Sequence, residues 1–198
     1  MARIDYYLSP ISVFCYLAGL RLEAVAASRG AAVVYRPVQL PRILAATGGV
    51  ALQDRHPSRL RYRAQDIARV ARREGLPIDL EPPFFPTNAA PASAAIIAAQ
   101  AAGGGDLGGL VHGLLRACWA EDRDVADDAV LRDVLAAHGF DGGLADRGLL
   151  GSMETLERNT EEALRRGVFG VPSYAVGDEL FWGQDRLADL DAHLAATG

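Results

Sequence analysis

Strand character is confined to the two ends of this chain, and no other feature narrows the possible folds as much. Arg3–Leu8 (RIDYYL) reads as a short strand, and Ala31–Val38 (AAVVYRPV), β-branched at its centre, as a second. A helical run between them, from about Ser12 to Ser28, carries Leu17, Leu20, Leu22, Val25 and Ala26 as its apolar positions. A β-helix-β order with a right-handed crossover makes the two strands parallel neighbours. Strands return only at Ser173–Val176 and Glu179–Trp182, joined by the tight-turn pair Gly177-Asp178, and a helix from Gln184 to Leu194 closes the chain.

The long middle reads as helix. Leu40–Ala46 is a short segment before the Gly48-Gly49 loop, and Pro57–Glu74 is a strong one, with Pro at its start and Gly75 just past its end. Leu76–Pro86 is irregular and punctuated by proline. A helix then starts near Asn88 and runs through Ile96 and Ile97 to Gly103-Gly104-Gly105; Asp106 caps the next, with Leu107, Leu110, Leu114, Leu115, Ala117 and Trp119 on its apolar side. Asp127–His138, Asp141–Leu149 and Met153–Arg166 complete the block, which repeats at no fixed period and so is not a solenoid. The expected architecture is α/β: a sheet domain of residues 1-40 and 167-198, interrupted by an all-helical insertion, 41-166.

With 198 residues, half of them hydrophobic, the chain can build one sizeable core. A formal charge of -5 with no basic tract argues against a general nucleic-acid binder. Arg55–Arg73 is locally basic, but its arginines are spread through a helical pattern: a solvated face, or a site for one small anionic ligand. Cys15 and Cys118 give neither a disulfide framework nor metal-ligand spacing, and His56, His112, His138 and His193 share no motif. No stretch approaches membrane length and no signal precedes the first strand, so the expectation is a cytoplasmic protein without metal, membrane or nucleic-acid partners.

Chemistry concentrates at Leu8-Ser9-Pro10-Ile11-Ser12-Val13-Phe14-Cys15-Tyr16. Ser12 falls where a strand hands over to a helix N-terminus, where unpaired N–H groups and the macrodipole favour an anion. As a plain N-cap, Ser12 would accept a hydrogen bond from one turn in. Cys15 three residues on, and Val171-Pro172 just before the last hairpin, give the serine a second reading. A strand, an S-x-x-C at a helix start and a late Val-Pro, in that order, are similar to a thioredoxin-like fold with Ser replacing the first Cys of its motif. Cys15 then sits at the second-cysteine position; a monothiol cannot close the internal disulfide, so it reads as a small buried hydrophobe, and Cys118 as core.

Over nearly its whole length the sequence resembles the 2-hydroxychromene-2-carboxylate isomerases, grouped with kappa-class glutathione transferases among DsbA-like proteins. The resemblance is carried by Ile4-Asp5-Tyr6-Tyr7, Ile11-Ser12-Val13-Phe14-Cys15-Tyr16-Leu17-Ala18, Tyr35-Arg36-Pro37, Arg59-Leu60-Arg61-Tyr62 with Asp66, and Phe85-Pro86-Thr87-Asn88. Its most specific parts are Val168-Phe169-Gly170-Val171-Pro172 and Phe181-Trp182-Gly183-Gln184-Asp185-Arg186. The resemblance implies a glutathione-dependent isomerase acting on an aromatic carboxylate from naphthalene-type catabolism, by reversible thiolate addition, and a homodimer. It implies that Ser12 hydrogen-bonds the glutathione sulfur and that the Val171-Pro172 bond is cis, presenting the Val171 backbone. Gln184 and Asp185 would hold the γ-glutamyl end, Arg59 matches a family lysine near the ligand, and Phe85, Asn88 and Trp182 would contact substrate. Val13 stands where the family has proline, which relaxes a preset helix start. Two other readings stay open: conjugation of glutathione to electrophiles, and a non-catalytic glutathione-binding module. The aromatics Phe84, Phe85 and Trp119 fit a pocket wall or simple core.

Overall fold

The computed structural model describes residues 1–146 and 149–197. Strand β1 (Arg3–Leu8) pairs in parallel with β2 (Ala32–Pro37), in register from Arg3 opposite Ala32 to Leu8 opposite Pro37. The terminal hairpin, β3 (Ser173–Val176) and β4 (Glu179–Trp182), adds antiparallel to the other side of β1, giving the order β2-β1-β3-β4. The chain is therefore thioredoxin-like, as its β-α-β start and β-β-α end require, and all four strands fall at their expected places, β2 one residue shorter at each end.

Helices α1 (Val13–Ala18) and α2 (Arg21–Arg29) link β1 to β2. The expected continuous helix from Ser12 to Ser28 is broken, because Gly19 takes φ +59 with ψ -143 and ends α1 after 6 residues. Next come α3 (Leu40–Thr47), α4 (Pro57–Glu74), α5 (Ala90–Ala102), α6 (Leu107–Ala120), α7 (Asp128–Ala137), α8 (Leu149–Arg165) and, after β4, α9 (Leu187–Thr197). The helix expected over Asp141–Leu149 is instead a short 3-10 turn at Gly142–Ala145 followed by α8, and residues 147–148 of that stretch lie outside the described residues. The last helix begins at Leu187, not Gln184, because Gly183, at φ +118, and its Arg186 N–H···O=C Gly183 turn (3.2 Å) come first.

The two faces of β1 follow from its period-2 alternation. Ile4, Tyr6 and Leu8 are buried on one side, where the Tyr6 ring packs on Tyr35 (5.8 Å) and Tyr174 (5.2 Å) and meets the Cys15 thiol. Asp5 and Tyr7 point the other way, toward Arg166, the residue after α8. Helices α4 and α6, from the middle of the chain, both pack on α1, while α5 packs on α8 and β2. The segment after β1 thus lies where the helical block meets the sheet. Among the described residues no helix is long and apolar enough to cross a membrane.

Candidate functional site

The turn Ser9–Ser12 leaves β1, closes with a Ser12 N–H···O=C Ser9 bond of 2.9 Å, and delivers Ser12 as the N-cap of α1. Ser12 Oγ accepts from the Cys15 N–H at 3.4 Å, so the expected cap is present, and the rotatable hydroxyl can donate either to the Cys15 thiol or to a bound anion. Among the described residues the Val13 and Phe14 N–H groups, ahead of the first helical bond from Tyr16 N–H to Ser12 O (3.0 Å), find no backbone acceptor. With α1 only 6 residues long, local N–H donors, more than a long macrodipole, define this point.

The antiparallel register places Tyr7 opposite Ser173 and Ser173 opposite Trp182. Val171-Pro172, which precedes β3, and Gly183-Gln184, which follows β4, therefore lie at the sheet end from which Ser12 departs. The Val171-Pro172 bond is cis, as the resemblance implies, and Phe85-Pro86 is a second cis bond. Gly183 N–H donates to Pro172 O at 2.9 Å, tying the two loops together. Among the described residues no backbone hydrogen bond engages the Val171 N–H or C=O.

Gln184 is buried, and its Oε1 and backbone oxygen accept from the Arg21 guanidinium at 2.9 and 3.1 Å. Arg21 also donates to Leu17 O (2.9 Å) and Ala18 O (3.1 Å), satisfying orphan carbonyls at the end of α1. One residue thus fixes Gln184 relative to α1, and only the loss of helical register at Gly19 puts it there. Asp185 is exposed and pairs with Arg186 at 2.8 Å. Trp182 is half-exposed, edge-on to Phe169 at 4.6 Å, with its indole nitrogen over Gly170, where a Cβ would come within 2.6 Å.

Phe85 packs on Trp119 (4.7 Å), and the Trp119 indole N–H donates to Ile11 O at 3.2 Å, bracing the residue before Ser12. Trp119 is core, Phe84 is exposed, and Phe85 is intermediate. Arg59 lies on the exposed side of α4 in a groove it shares with Phe14. Asn88 is engaged locally, its Oδ1 accepting from Ala90 N–H at 3.0 Å at the start of α5, and among the described residues no hydrogen bond links its side chain to Ser12. The bracing roles of Arg21 and Trp119 were invisible in the sequence, since Trp119 acts on a backbone carbonyl and Arg21 on backbone carbonyls and a side chain 163 positions away.

Cys15, 1% exposed, has its thiol pushed up to about 11 by burial, against hydrogen bonds from Ser9, Ser12 and Tyr6 that act the other way. It is a core residue with almost no thiolate at neutral pH. Cys118 is likewise buried and pushed up to about 12 by burial. His56 caps α4, accepting from Ser58 N–H at 3.2 Å. His112 stacks on Tyr16 (5.5 Å) inside the helical layer, and burial lowers its pKa.

A DsbA-like thioredoxin domain model matches residues 3–195. The chain is 30% identical over 96% of its length to the 2-hydroxychromene-2-carboxylate isomerase of Sphingobium xenophagum, covering 97% of that protein. It is 29% identical to the one from Pseudomonas putida, over 96% of this chain and 92% of that one. A solved structure of 2-hydroxychromene-2-carboxylate isomerase superposes with a TM-score of 0.79 at 28% identity, covering 98% of this chain and 95% of its own. The chain belongs to the DsbA-like thioredoxin domain family and, within it, to the family of the 2-hydroxychromene-2-carboxylate isomerases.

Proposed function

We propose that this protein is a glutathione-dependent isomerase that interconverts 2-hydroxychromene-2-carboxylate and trans-o-hydroxybenzylidenepyruvate, or a closely related conjugated aromatic acid. The observation that carries the reading is the grouping of Ser12, the Val171 backbone and Gln184 at one end of the sheet. These groups fit the tripeptide. Val171 offers a free N–H and C=O to a peptide backbone, the Gln184 amide nitrogen has no partner among the described residues, and Asp185 can pair with an amino group. Bound there, glutathione would supply a thiolate able to add reversibly to a conjugated double bond.

Ser12 would donate its hydroxyl hydrogen to the sulfur. A free thiol has a pKa near ~8.5, and a donor plus the open Val13 and Phe14 N–H groups favours the anion at neutral pH. A hydroxyl does this without competing as a nucleophile. Arg21 would keep Gln184 in place, and Arg59 would face the ligand from α4. Phe85 and the exposed Trp182 face would exclude water from the substrate side, with Asn88 at its margin. Because Cys15 is buried and protonated, dithiol exchange has no partner thiol here, which favours isomerisation over redox chemistry. The reading also takes the protein as a cytoplasmic homodimer, for which the mass in solution is the check on assembly.

The test follows the absorbance of 2-hydroxychromene-2-carboxylate with purified protein, with and without glutathione, while titrating free thiol. Interconversion that requires glutathione and leaves its concentration unchanged is expected. Stoichiometric loss of thiol would move the assignment to a conjugating transferase, and glutathione binding without turnover to a binding module.

A further inference from the structure

Next to Ser12, α1 and α4 border an open groove of about 410 Å³ lined by Phe14, Arg55, Arg59, Tyr62, Arg63 and Asp66. Its charge is unbalanced. The one acid, Asp66, lies 3.6 Å from Arg69, and among the described residues no carboxylate lies within 4.0 Å of Arg55, Arg59 or Arg63. Several arginines elsewhere pair with acids, as at Arg29–Asp191 (2.7 Å) and Arg123–Asp133 (2.8 Å). Arg63 stands out further. It is half-buried, its guanidinium lies 5.6 Å from the centre of the Phe14 ring, and among the described residues its N–H groups donate to nothing. Burial, and then the charge of Arg55, lowers its pKa, so its surroundings do not compensate the cation they hold. Arg55 is half-buried and anchored through Nε to Val50 O at 3.1 Å. The Tyr62 ring, 62% exposed, supplies a flat apolar surface in the same groove.

We infer that this groove binds the carboxylate of a planar aromatic acid, with Arg63 taking the two oxygens, Arg55 adding charge and Tyr62 lying against the ring. A guanidinium fixed on an aromatic ring is pre-organised for bidentate recognition of a carboxylate, and a flat ring beside it selects an aryl over an alkyl acid. Of the two readings open for Arg55–Arg73, a solvated face or a small-anion site, the unpaired half-buried Arg63 favours the second. The inference deepens the proposed function by naming the residues that hold the substrate's acid group, and it rests on that reading for the identity of the substrate alone.

The experiment is calorimetric titration of trans-cinnamate, cinnamamide and glutathione into the wild-type protein, Arg63→Gln and Arg63→Lys, with thermal unfolding to establish that each variant is folded. Cinnamate should bind the wild type at least about tenfold more tightly than the uncharged amide, and Arg63→Gln should weaken cinnamate by a similar factor. Arg63→Lys should fall between the two, and glutathione affinity should stay within about twofold in both variants. Absence of cinnamate binding, equal binding of acid and amide, or an unchanged cinnamate affinity in Arg63→Gln overturns the inference. So does a loss of glutathione affinity with cinnamate unaffected, which assigns Arg63 to the tripeptide's carboxylates. Cinnamate binding through Arg63 without turnover of 2-hydroxychromene-2-carboxylate keeps this site and discards the reaction; turnover without an Arg63 effect does the reverse.

Discussion

Cys15 and Ser12 lie one helical turn apart, and their surroundings give them opposite chemistry. The Cys15 thiol is enclosed by Tyr6, Ser9 and Ser12 and pushed up to about 11 by burial, so it is neither nucleophile nor redox centre. At pH 8 a disulfide reagent should therefore label neither Cys15 nor Cys118 in the native protein within the time that labels both after denaturation; rapid native labelling would contradict the burial described here. Cys15→Ala should cost about 1 kcal/mol in chemical denaturation, the scale of a small buried group, and leave catalytic rate unchanged. That Cys15 is a small buried residue was legible from its place at the second-cysteine position, one turn after Ser12 and with no partner thiol. The double use of Ser12 was legible only in part. The sequence offered N-cap or anion donor as alternatives, whereas the hydroxyl can serve both, its oxygen accepting from Cys15 N–H while its hydrogen can turn from the Cys15 thiol to a bound anion.

At the scale of elements, the sheet and most helix positions followed from periodicity and capping residues: Pro57 with Gly75 for α4, Asp106 for α6, Gly177-Asp178 for the hairpin. Two of the misplaced boundaries are set by glycines whose φ no pattern reports. Leu17, Leu20 and Leu22 read as one apolar stripe, yet Gly19 at φ +59 breaks it, and this break brings Arg21 to Gln184. Gly183, at φ +118, likewise delays α9 and sets the loop that carries Gln184 and Asp185. A Cβ there would lie 2.5 Å from Asp185 Oδ1. Gly183→Ala should cost about 1–2 kcal/mol, the penalty for a side chain at positive φ, and should weaken glutathione binding more than it lowers stability. Thermal melts beside glutathione titration check this, and an unchanged affinity would detach the loop from the site. Trp119→Phe keeps the ring but removes the donor to Ile11 O; a loss of about 1 kcal/mol is expected, with a reduced turnover that reports the loosened Ser9–Ser12 turn.

For the whole molecule, the sheet and the helical block are joined by a charge cluster that no local pattern discloses. Asp5, 8% exposed at the centre of β1, accepts from Arg36 (2.7 Å) on β2 and from Arg166 (3.0 Å) beyond α8. Arg36 also donates to Asn159 of α8 at 3.2 Å. Burial pushes the Asp5 carboxyl up, but hydrogen bonds from Arg3 and Arg36 outweigh it and hold the pKa below its ordinary 3.8. Arg3 is more than half-exposed and adds little. The partners are 31 and 161 positions from Asp5 in sequence, which is why Asp5 read only as part of a family motif. Asp5→Asn should destabilise by roughly 3 kcal/mol near neutral pH, since it strands two part-buried guanidinium groups. Because the folded carboxyl titrates below the unfolded one, this stability is present above pH 3.8 and is lost as pH falls through the lower folded value. The gap between wild type and variant in denaturant melts should therefore narrow below about pH 4; a gap independent of acid would refute the pairing. The architecture that this cluster secures holds Ser12, Val171 and Gln184 at one sheet end, and their joint use is the central claim. The most direct measurement of it is turnover of 2-hydroxychromene-2-carboxylate at saturating glutathione by wild type and by Ser12→Ala. A fall of about a hundredfold or more, with the protein still folded and glutathione still bound, is predicted for removal of a donor aimed at developing charge; an unchanged rate would leave Ser12 a helix cap and place the chemistry elsewhere.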